Sequence, residues 1–162
     1  MLILKSANYE DIEKEWLFQR NIPVDENGFL NDYHDISRND FDTALETIIA
    51  QSNGENLPEG YVPQTIYYLW DDDNIVGTFH FRHYLCQSLI EGAGHVGYYI
   101  APEYRGKGYA TECLNFAKEL AIKSDCYKMM LLTGSRKETT LNFYSRAGYN
   151  STDKTAFVQW LE

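Results

Sequence analysis

The sequence predicts a single domain of the mixed α/β class over residues 1–162, and three observations carry this prediction. The chain has 162 residues, a length that suits one domain. Apolar residues make up 44% of the composition and aromatic residues 15%, enough to fill one hydrophobic core. Helical patterns dominate the first sixty residues, whereas strand patterns alternate with helical ones after them. Such an alternation favours a sheet of mixed strand directions with helices packed on it.

The N-terminal region is predicted to hold one short strand and two helices. Residues 2–4 are an apolar run of strand length. Apolar residues recur at helical spacing over residues 12–18 and again over residues 41–49, where Asp40 is the predicted N-cap. A loop is expected over residues 54–63, because glycine, proline and polar residues dominate there.

The rest of the chain is predicted to hold five strands and two helices. The first two strands form a hairpin, because the polar turn over residues 71–74 joins two runs rich in β-branched and aromatic residues. Gly148 is expected to end the last helix. The predicted strands span residues 65–70, 75–83, 96–101, 128–133 and 155–161, and the predicted helices span residues 109–123 and 138–147.

The charge balance argues against two classes of partner. Lysine and arginine number 14 against 24 for aspartate and glutamate, so the formal net charge is −10. A surface this acidic repels phosphate backbones and anionic lipids, and we therefore expect neither nucleic-acid nor membrane binding. No apolar run reaches the roughly 20 residues of a membrane span, and acidic residues stand where a secretory signal would be basic. The cytoplasm is the expected location.

The cysteines and histidines predict neither disulfides nor a metal site. Cys86, Cys113 and Cys126 are an odd number at wide spacing, without a Cys-x-x-Cys pair. His80 and His83 stand three residues apart on a predicted strand, so they point to opposite faces and make a poor metal pair. We therefore expect reduced thiols and no bound metal.

One segment combines glycines, basic residues and a helix start. Residues 98–110 run from a predicted strand through a tight loop into a predicted helix. Gly106 and Gly108 let the backbone approach a ligand, and the first free N–H groups of the helix point at it. Arg105 and Lys107 add positive charge in an otherwise acidic protein. The pattern predicts an anion site that suits a pyrophosphate.

Two commoner phosphate motifs do not fit the chain. A P-loop needs Ser or Thr after a Gly-Lys pair, but Gly106 and Lys107 are followed by Gly108. Residues 92–97 spell G-x-G-x-x-G, yet they precede a predicted strand rather than open a helix. This second segment therefore does not predict a dinucleotide site.

The loop resembles the acetyl-CoA signature of the GNAT superfamily of N-acetyltransferases. The family pattern Arg/Gln-x-x-Gly-x-Gly/Ala matches Arg105, Gly108 and Ala110, and the family's usual proline precedes it at Pro102. The resemblance implies an α/β (α+β) fold, with a mainly antiparallel central sheet whose middle strands splay apart and with flanking helices. Residues 65–162 would form the acetyl-CoA-binding core, and residues 1–60 a variable helical region on the acceptor side.

A second signature of the same family stands downstream. It is a helix with a Tyr that is followed after three residues by Gly and an aromatic residue, and Tyr144, Gly148 and Tyr149 match it. Where the family often has Asn, seven residues before this Tyr, the chain has Lys137. Acetyl-CoA is the implied donor, and the candidates for holding it are Tyr98, Tyr99, Ile100, Arg105, Gly106, Lys107, Gly108, Tyr109, Ala110 and Lys137.

The resemblance also implies a reaction, the direct attack of a primary amine on the thioester in a ternary complex. An amine with a pKa of about 10 must first lose a proton, and the candidate base is Glu91 or His95, next to the predicted cofactor strand. Tyr144 is the candidate general acid that protonates the departing thiolate. A non-catalytic acyl-CoA sensor is the alternative, because it would keep the anion site without needing a proton donor.

The acceptor is left open between a small metabolite, an antibiotic, a polyamine and a peptide N-terminus. Homodimers are common in the family, so a homodimer is an implied assembly. Aromatic and acidic residues of the first sixty suit a pocket for a cationic amine, and they equally suit a solvated acidic face.

Overall fold

The computed structural model describes residues 2–153, which form a four-stranded sheet, a small hairpin and four helices. The chain divides into two compact units, Met1–Cys113 and Leu114–Glu162. The helices are α1 (Ile12–Asn21), α2 (Arg38–Ser52), α3 (Tyr109–Lys123) and α4 (Glu138–Arg146), and the strands are β1 (Leu2–Ser6), β2 (Asp25–Glu26), β3 (Phe29–Leu30), β4 (Gln64–Asp71), β5 (Asn74–Arg82) and β6 (Val96–Ile100).

The central sheet has the strand order β1-β4-β5-β6, and every neighbouring pair is antiparallel. The predicted hairpin is β4 and β5, with Asp72 in the left-handed region at φ 50° in the turn between them. The register shifts after Leu69, which pairs with Gly77, so that Trp70 pairs with Ile75. Val76 is therefore an extra residue in β5, a β-bulge that bends the strand. An α/β fold with an antiparallel sheet and flanking helices confirms the predicted fold class.

One hydrophobic cluster joins the sheet to α2. Along β4, Ile66, Tyr68 and Trp70 are spaced by two residues and therefore point to one face. These three side chains are buried in a cluster with Ile48 of α2 and Ile75 of β5. The helical spacing predicted for residues 41–49 thus corresponds to a real buried face on α2.

Strands β5 and β6 approach each other closely at Gly77. A Cβ atom there would lie 2.6 Å from the Ile100 side chain and 2.6 Å from the Tyr99 carbonyl oxygen. Glycine at this position therefore allows β6 to pack against β5 along its whole length. The close approach also fixes where β6 delivers the loop that follows it.

The connection between α1 and α2 is held by a buried amide network. Gln19 Nε2 donates to Asn31 Oδ1 at 2.9 Å, and Asn31 Nδ2 donates to the carbonyl oxygens of Gln19 and Ile22 at 3.0 and 2.8 Å. Both amide side chains are buried. Because buried amides are costly to leave unpaired, this network holds the segment after α1 in one conformation.

Two local features differ from the sequence prediction. The N-cap of α2 is Ser37 rather than Asp40, because the helix begins at Arg38 and the Ser37 hydroxyl accepts the Asp40 N–H at 3.2 Å. The hairpin of β2 and β3 was not predicted, although its Asn27-Gly28 turn is a typical hairpin signal. Both turn residues have positive φ, 55° and 83°.

The predicted buried strand over residues 128–133 is wrong. These residues form no regular secondary structure, and Met130 and Leu132 are 71% and 74% exposed. A strand needs a hydrogen-bonded neighbour, and the described part of Leu114–Glu162 contains no other strand. The splay expected between this strand and β6 accordingly has no counterpart in residues 2–153. The strand predicted over residues 155–161 lies outside the described residues.

Candidate functional site

The predicted anion loop connects the end of β6 to the start of α3. A short 3-10 turn, Pro102–Tyr104, leads into it, and the helix begins at Tyr109 as the sequence predicted. Gly106 and Gly108 have φ of 77° and 94°, a conformation that residues with a Cβ rarely adopt. A Cβ at either glycine would meet no atom of residues 2–153 within 4 Å. The two glycines therefore allow the left-handed backbone conformation of the loop. Because they have no side chains, they also leave the space beside the loop open.

Backbone donors of the loop are not used within the described part of the chain. The first hydrogen bonds of α3 run from the N–H groups of Thr111 and Glu112 to the carbonyl oxygen of Gly108, at 2.9 and 3.3 Å. The N–H groups of residues 106–110 donate to no acceptor among residues 2–153. Donors at the positive end of a helix are suited to an anion.

The two basic side chains of the loop have different surroundings. Arg105 folds back, with Nη1 2.7 Å from Glu26 Oε1 and Nε donating to the Ile100 carbonyl oxygen at 2.9 Å. Glu26 raises the pKa of Arg105, and Arg105 lowers the pKa of Glu26. Lys107 lies with Nζ 5.2 Å from the Tyr104 ring centroid and forms no ion pair with a described residue. Lys107 is thus the basic side chain whose charge stays available.

Tyr109 fixes the start of α3 through its side chain. Its hydroxyl donates to Asp71 Oδ2 at 2.5 Å, and this hydrogen bond raises the pKa of Tyr109. Asp71 is the last residue of β4, so the contact attaches the helix start to the sheet. The Tyr104 ring packs against the Tyr109 ring with centroids 6.3 Å apart. The Tyr109 side chain therefore has a structural role, whereas its backbone N–H remains one of the donors of the loop.

Strand β6 carries the other cofactor candidates and lies at the edge of the described sheet. Among residues 2–153 its only strand partner is β5. Tyr99 and Ile100 are buried and Tyr98 is partly buried. A strand at the edge of a sheet can present main-chain donors and acceptors to an extended ligand.

The two candidate bases lie in different elements. Glu91 is exposed in a π-helical turn, Leu89–Ala93, where it accepts a hydrogen bond from Gln87 Nε2 at 2.6 Å. His95 is exposed just before β6, and its Nδ1 lies 2.8 Å from the Arg82 carbonyl oxygen. A carbonyl oxygen only accepts, so the neutral ring donates from Nδ1 and leaves Nε2 as an acceptor. This tautomer suits a base.

A third residue near β6 is His80, on the neighbouring strand β5. It pairs with Gly97 of β6, is buried, and packs its ring 5.0 Å from that of Phe29. Burial, and after it the charge of Arg82, lowers the pKa of His80 to about 3. Its Nε2 has no hydrogen-bond partner among the described residues. His80 is therefore neutral at physiological pH.

Tyr144 and Lys137 belong to the unit Leu114–Glu162. Tyr144 is partly buried on α4, and its ring packs against those of Phe143 and Tyr149 with centroids 5.0 and 6.2 Å apart. Within the described residues its hydroxyl forms no hydrogen bond. Lys137 is exposed at the N-cap of α4, and Gly148 follows the helix with φ 90°. The helix and its predicted glycine stop are confirmed.

Neither a metal cluster nor a membrane helix is found in the described part of the chain. No three side chains of His, Cys, Asp or Glu among residues 2–153 come together as metal ligands. Over the same residues, no helix has both the length and the apolar character that crossing a bilayer requires. All three cysteines are free, and burial raises the pKa of Cys113 to about 12.

The fold is shared with solved acetyltransferases. The chain aligns over 99% of its length with 98% of a GNAT family acetyltransferase of Staphylococcus aureus, at 20% identity and a TM-score of 0.53. It covers 99% of glucosamine-6-phosphate N-acetyltransferase of Arabidopsis thaliana with 100% of its own length, at 15% identity and a TM-score of 0.56. Against AAC(6')-Iy, solved with the bisubstrate analog CoA-S-monomethyl-acetylneamine, 99% of each chain aligns at 12% identity and a TM-score of 0.53.

These likenesses define the class of protein as acetyltransferase-like in fold. The sequence profile of the acetyltransferase (GNAT) family matches residues 15–149, most of the chain. The chain therefore belongs to the acetyltransferase (GNAT) family, and the resemblance noted in its two signatures is confirmed.

Proposed function

We propose that the protein transfers an acetyl group from acetyl-CoA to a primary amine, by direct attack in a ternary complex. Its membership of the GNAT family supports acetyl transfer as the reaction. The single observation that carries the donor assignment is the loop over residues 105–110. It combines two glycines at positive φ, open space beside them, and backbone N–H groups with no acceptor among the described residues.

The pyrophosphate of acetyl-CoA is proposed to bind the N–H groups of residues 106–110, with Lys107 supplying charge. The open space at Gly106 and Gly108 would admit phosphate oxygens to hydrogen-bonding distance of the backbone. Arg105 would contribute through the shape of the loop, because its charge is already balanced by Glu26. The pantetheine arm is proposed to run along β6, beside residues 98–100.

The chemistry would be shared between main chain and side chains. Main-chain N–H groups of the β6 edge would stabilise the oxyanion that forms when the amine attacks the thioester carbonyl. The amine nitrogen forms the new C–N bond as the C–S bond breaks, and the amine's proton leaves to the candidate base, His95 Nε2 or Glu91. Tyr144 would give a proton to the departing thiolate. Its hydroxyl has no acceptor within the described residues, which suits a donor held ready.

The acceptor side is proposed to lie in the N-terminal region, residues 1–60. This region has both the acidic residues and the aromatic rings that favour a cationic amine. The structurally similar AAC(6')-Iy was solved in complex with a bisubstrate analog, CoA-S-monomethyl-acetylneamine. By the same logic, the amines to be tried are polyamines, amino sugars, aminoglycosides and peptide N-termini.

The test has two stages, binding and turnover. Calorimetric titration with acetyl-CoA is expected to show saturable binding, and an amine panel is expected to release free CoA thiol with at least one member. No binding would overturn the donor assignment. Binding without thiol release for any amine would instead indicate the alternative, an acyl-CoA sensor.

A further inference from the structure

The unpredicted hairpin of β2 and β3 is seated on the cofactor strand. The ring of Phe29 lies 5.7 Å from the Tyr99 ring and 5.0 Å from the His80 ring. It also lies 3.9 Å from the position of a Cβ on Gly97. Phe29 therefore packs over the middle of β6, the strand beside which pantetheine is proposed to lie.

The same hairpin also reaches the loop after β6, through an ion pair. Glu26 Oε1 is 2.7 Å from Arg105 Nη1. Arg105 Nε donates to the Ile100 carbonyl oxygen at 2.9 Å, and its guanidinium carbon lies 5.6 Å from the Tyr99 ring centroid. One guanidinium thus joins a hairpin carboxylate to the main chain at the end of β6. The hydrogen bond from Arg105 to the Ile100 carbonyl oxygen closes a turn over residues 100–105. The shape of this turn sets the direction in which the chain continues into the glycine loop.

We propose that Glu26 is a positioning residue for acetyl-CoA, acting through Arg105 to hold the binding loop in its ligand-ready shape. This inference rests on the proposed function, because it concerns the same loop. It also makes the hairpin and the cofactor loop thermodynamically coupled. Whatever orders one of the two elements then favours the other by the same factor.

Glu26 also has an opposite effect, because a carboxylate repels a pyrophosphate. The carboxylate is in a short pair with Arg105, so at the distance of a ligand the pair acts as a nearly neutral unit. The remaining repulsion is screened further, since both side chains are partly exposed. Ordering the loop before the ligand arrives removes an entropic cost of binding. We therefore expect loss of the carboxylate to weaken binding.

The first test compares two substitutions that each remove one negative charge from the hairpin. Glu26→Gln is expected to raise the Kd of acetyl-CoA about three- to fivefold, the range that an exposed ion pair can supply. Asp25→Asn is the matched control. Asp25 Oδ1 accepts the Gly28 N–H at 3.1 Å, and an asparagine oxygen can accept it too. Its Kd is expected to stay within about twofold of the parent.

The comparison separates positioning from general electrostatics. If removing negative charge were what mattered, both variants would bind acetyl-CoA more tightly than the parent. A Kd for Glu26→Gln equal to or below that of the parent overturns the proposal. Melting temperatures of the two variants are expected to match, because an exposed ion pair contributes little to stability.

The second test asks whether Glu26 acts through Arg105. Adding Glu26→Gln to an Arg105→Gln background is expected to leave the Kd unchanged or to lower it, because the partner is already lost and the lone carboxylate can then only repel the pyrophosphate. A further loss in that background would show that Glu26 acts by another route and would overturn the inference.

A ligand-free measurement keeps this inference separate from the proposed function. Amide hydrogen exchange over residues 100–106 is expected to be faster in Glu26→Gln than in the parent and in Asp25→Asn. Unchanged exchange rejects the positioning of the loop, whether or not acetyl-CoA binds. Failure of the parent itself to bind acetyl-CoA rejects the proposed function and, with it, the role of Glu26 toward that ligand.

Discussion

Gly108 is the residue at which backbone conformation and proposed ligand binding meet. Its φ of 94° suits glycine, and a carboxylate there would stand in the open space at the start of α3. We expect Gly108→Asp to raise the Kd of acetyl-CoA by about tenfold or more, equivalent to about 1.4 kcal/mol, because charge repulsion adds to backbone strain. Calorimetric titration measures the change.

A control for backbone strain alone is available at Gly60, between α2 and β4. Its φ is 81°, and a Cβ there would also meet no described atom within 4 Å. Gly60→Asp should lower the melting temperature by a similar amount and leave the affinity for acetyl-CoA unchanged. Equal affinities in the two variants would place the pyrophosphate elsewhere.

Tyr144 is the residue to which the proposed proton donation is assigned. Tyr144→Phe keeps the ring that packs against Phe143 and Tyr149 and removes only the hydroxyl. We expect kcat to fall about 100-fold, the low end for general acid catalysis, because a thiolate leaves fairly well unaided. The affinity for acetyl-CoA and the melting temperature should barely change. Steady-state thiol release with the best amine of the panel measures the effect.

The neighbouring Tyr149 supplies the matched control for this substitution. Its ring is in the same aromatic group, and burial raises its pKa. Tyr149→Phe removes an equivalent hydroxyl and is expected to leave kcat within about twofold. Turnover of Tyr144→Phe at the parent rate would mean that water supplies the proton and that Tyr144 serves packing alone.

Among the elements, α1 contains a buried acid that the sequence did not single out. Glu15 is fully buried, and it accepts hydrogen bonds from the backbone N–H and the side-chain amide of Asn8 at 3.2 Å. Burial raises its pKa to about 8, against the opposing effect of the Asn8 N–H. At neutral pH the folded protein therefore holds this carboxyl largely protonated, whereas the unfolded chain has it ionised.

This difference in proton binding predicts a pH dependence of stability. Between pH 4.5 and 8 the folded state binds the extra proton at Glu15, so the free energy of unfolding falls as the pH rises. The loss across this range is on the order of 3–5 kcal/mol. Glu15→Gln removes the titration while its amide oxygen can still accept from Asn8. At pH 4.5 we expect this variant to be at most as stable as the parent. At pH 8 we expect it to be clearly more stable than the parent.

Urea unfolding at several pH values measures the effect, with Glu10→Gln as the control. Glu10 is exposed and precedes the same helix, so its replacement removes one charge without removing a buried acid. Its difference in stability from the parent should not change with pH. If the stability difference between Glu15→Gln and the parent were also the same at every pH, Glu15 would be ionised in the folded protein at neutral pH.

The element scale also shows where pattern-based prediction works and where it fails. The bounds of α3 agree with the prediction because its apolar face repeats every turn, a property contained in a short window of sequence. Residues 128–133 are just as apolar and form no strand, because strand formation depends on a partner and not on the run itself. The hairpin of β2 and β3 was missed for the complementary reason, since two-residue strands are too short to show alternation.

For the whole molecule, the proposed reaction needs no metal ion. We expect thiol release to continue at the parent rate in EDTA, because the protonations and charge stabilisation are assigned to side chains and main-chain N–H groups. The same assay without chelator is the control. Loss of activity in EDTA that one added metal restores would contradict the prediction.

The overall charge agrees with a localised anion site. A net charge of −10 repels an anionic ligand over most of the surface, so attraction has to come from a small region. The loop over residues 105–110 is such a region, and its glycines and the start of the following helix were predicted from the sequence. In the folded chain the charge of Arg105 is balanced by Glu26, which leaves Lys107 and the backbone as the positive groups.

Properties that depend on neighbours in the chain were readable without coordinates: the family signatures, the glycine loop, the helix over residues 109–123 and the β4–β5 hairpin. They follow from local periodicity and from motifs of a few residues. Properties that depend on packing were not. The Glu26–Arg105 pair, the buried acid Glu15 and the buried neutral His80 arise because the fold brings distant residues together and excludes water from them. Burial and partner geometry set these protonation states and contacts, and neither is a property of a local stretch of sequence.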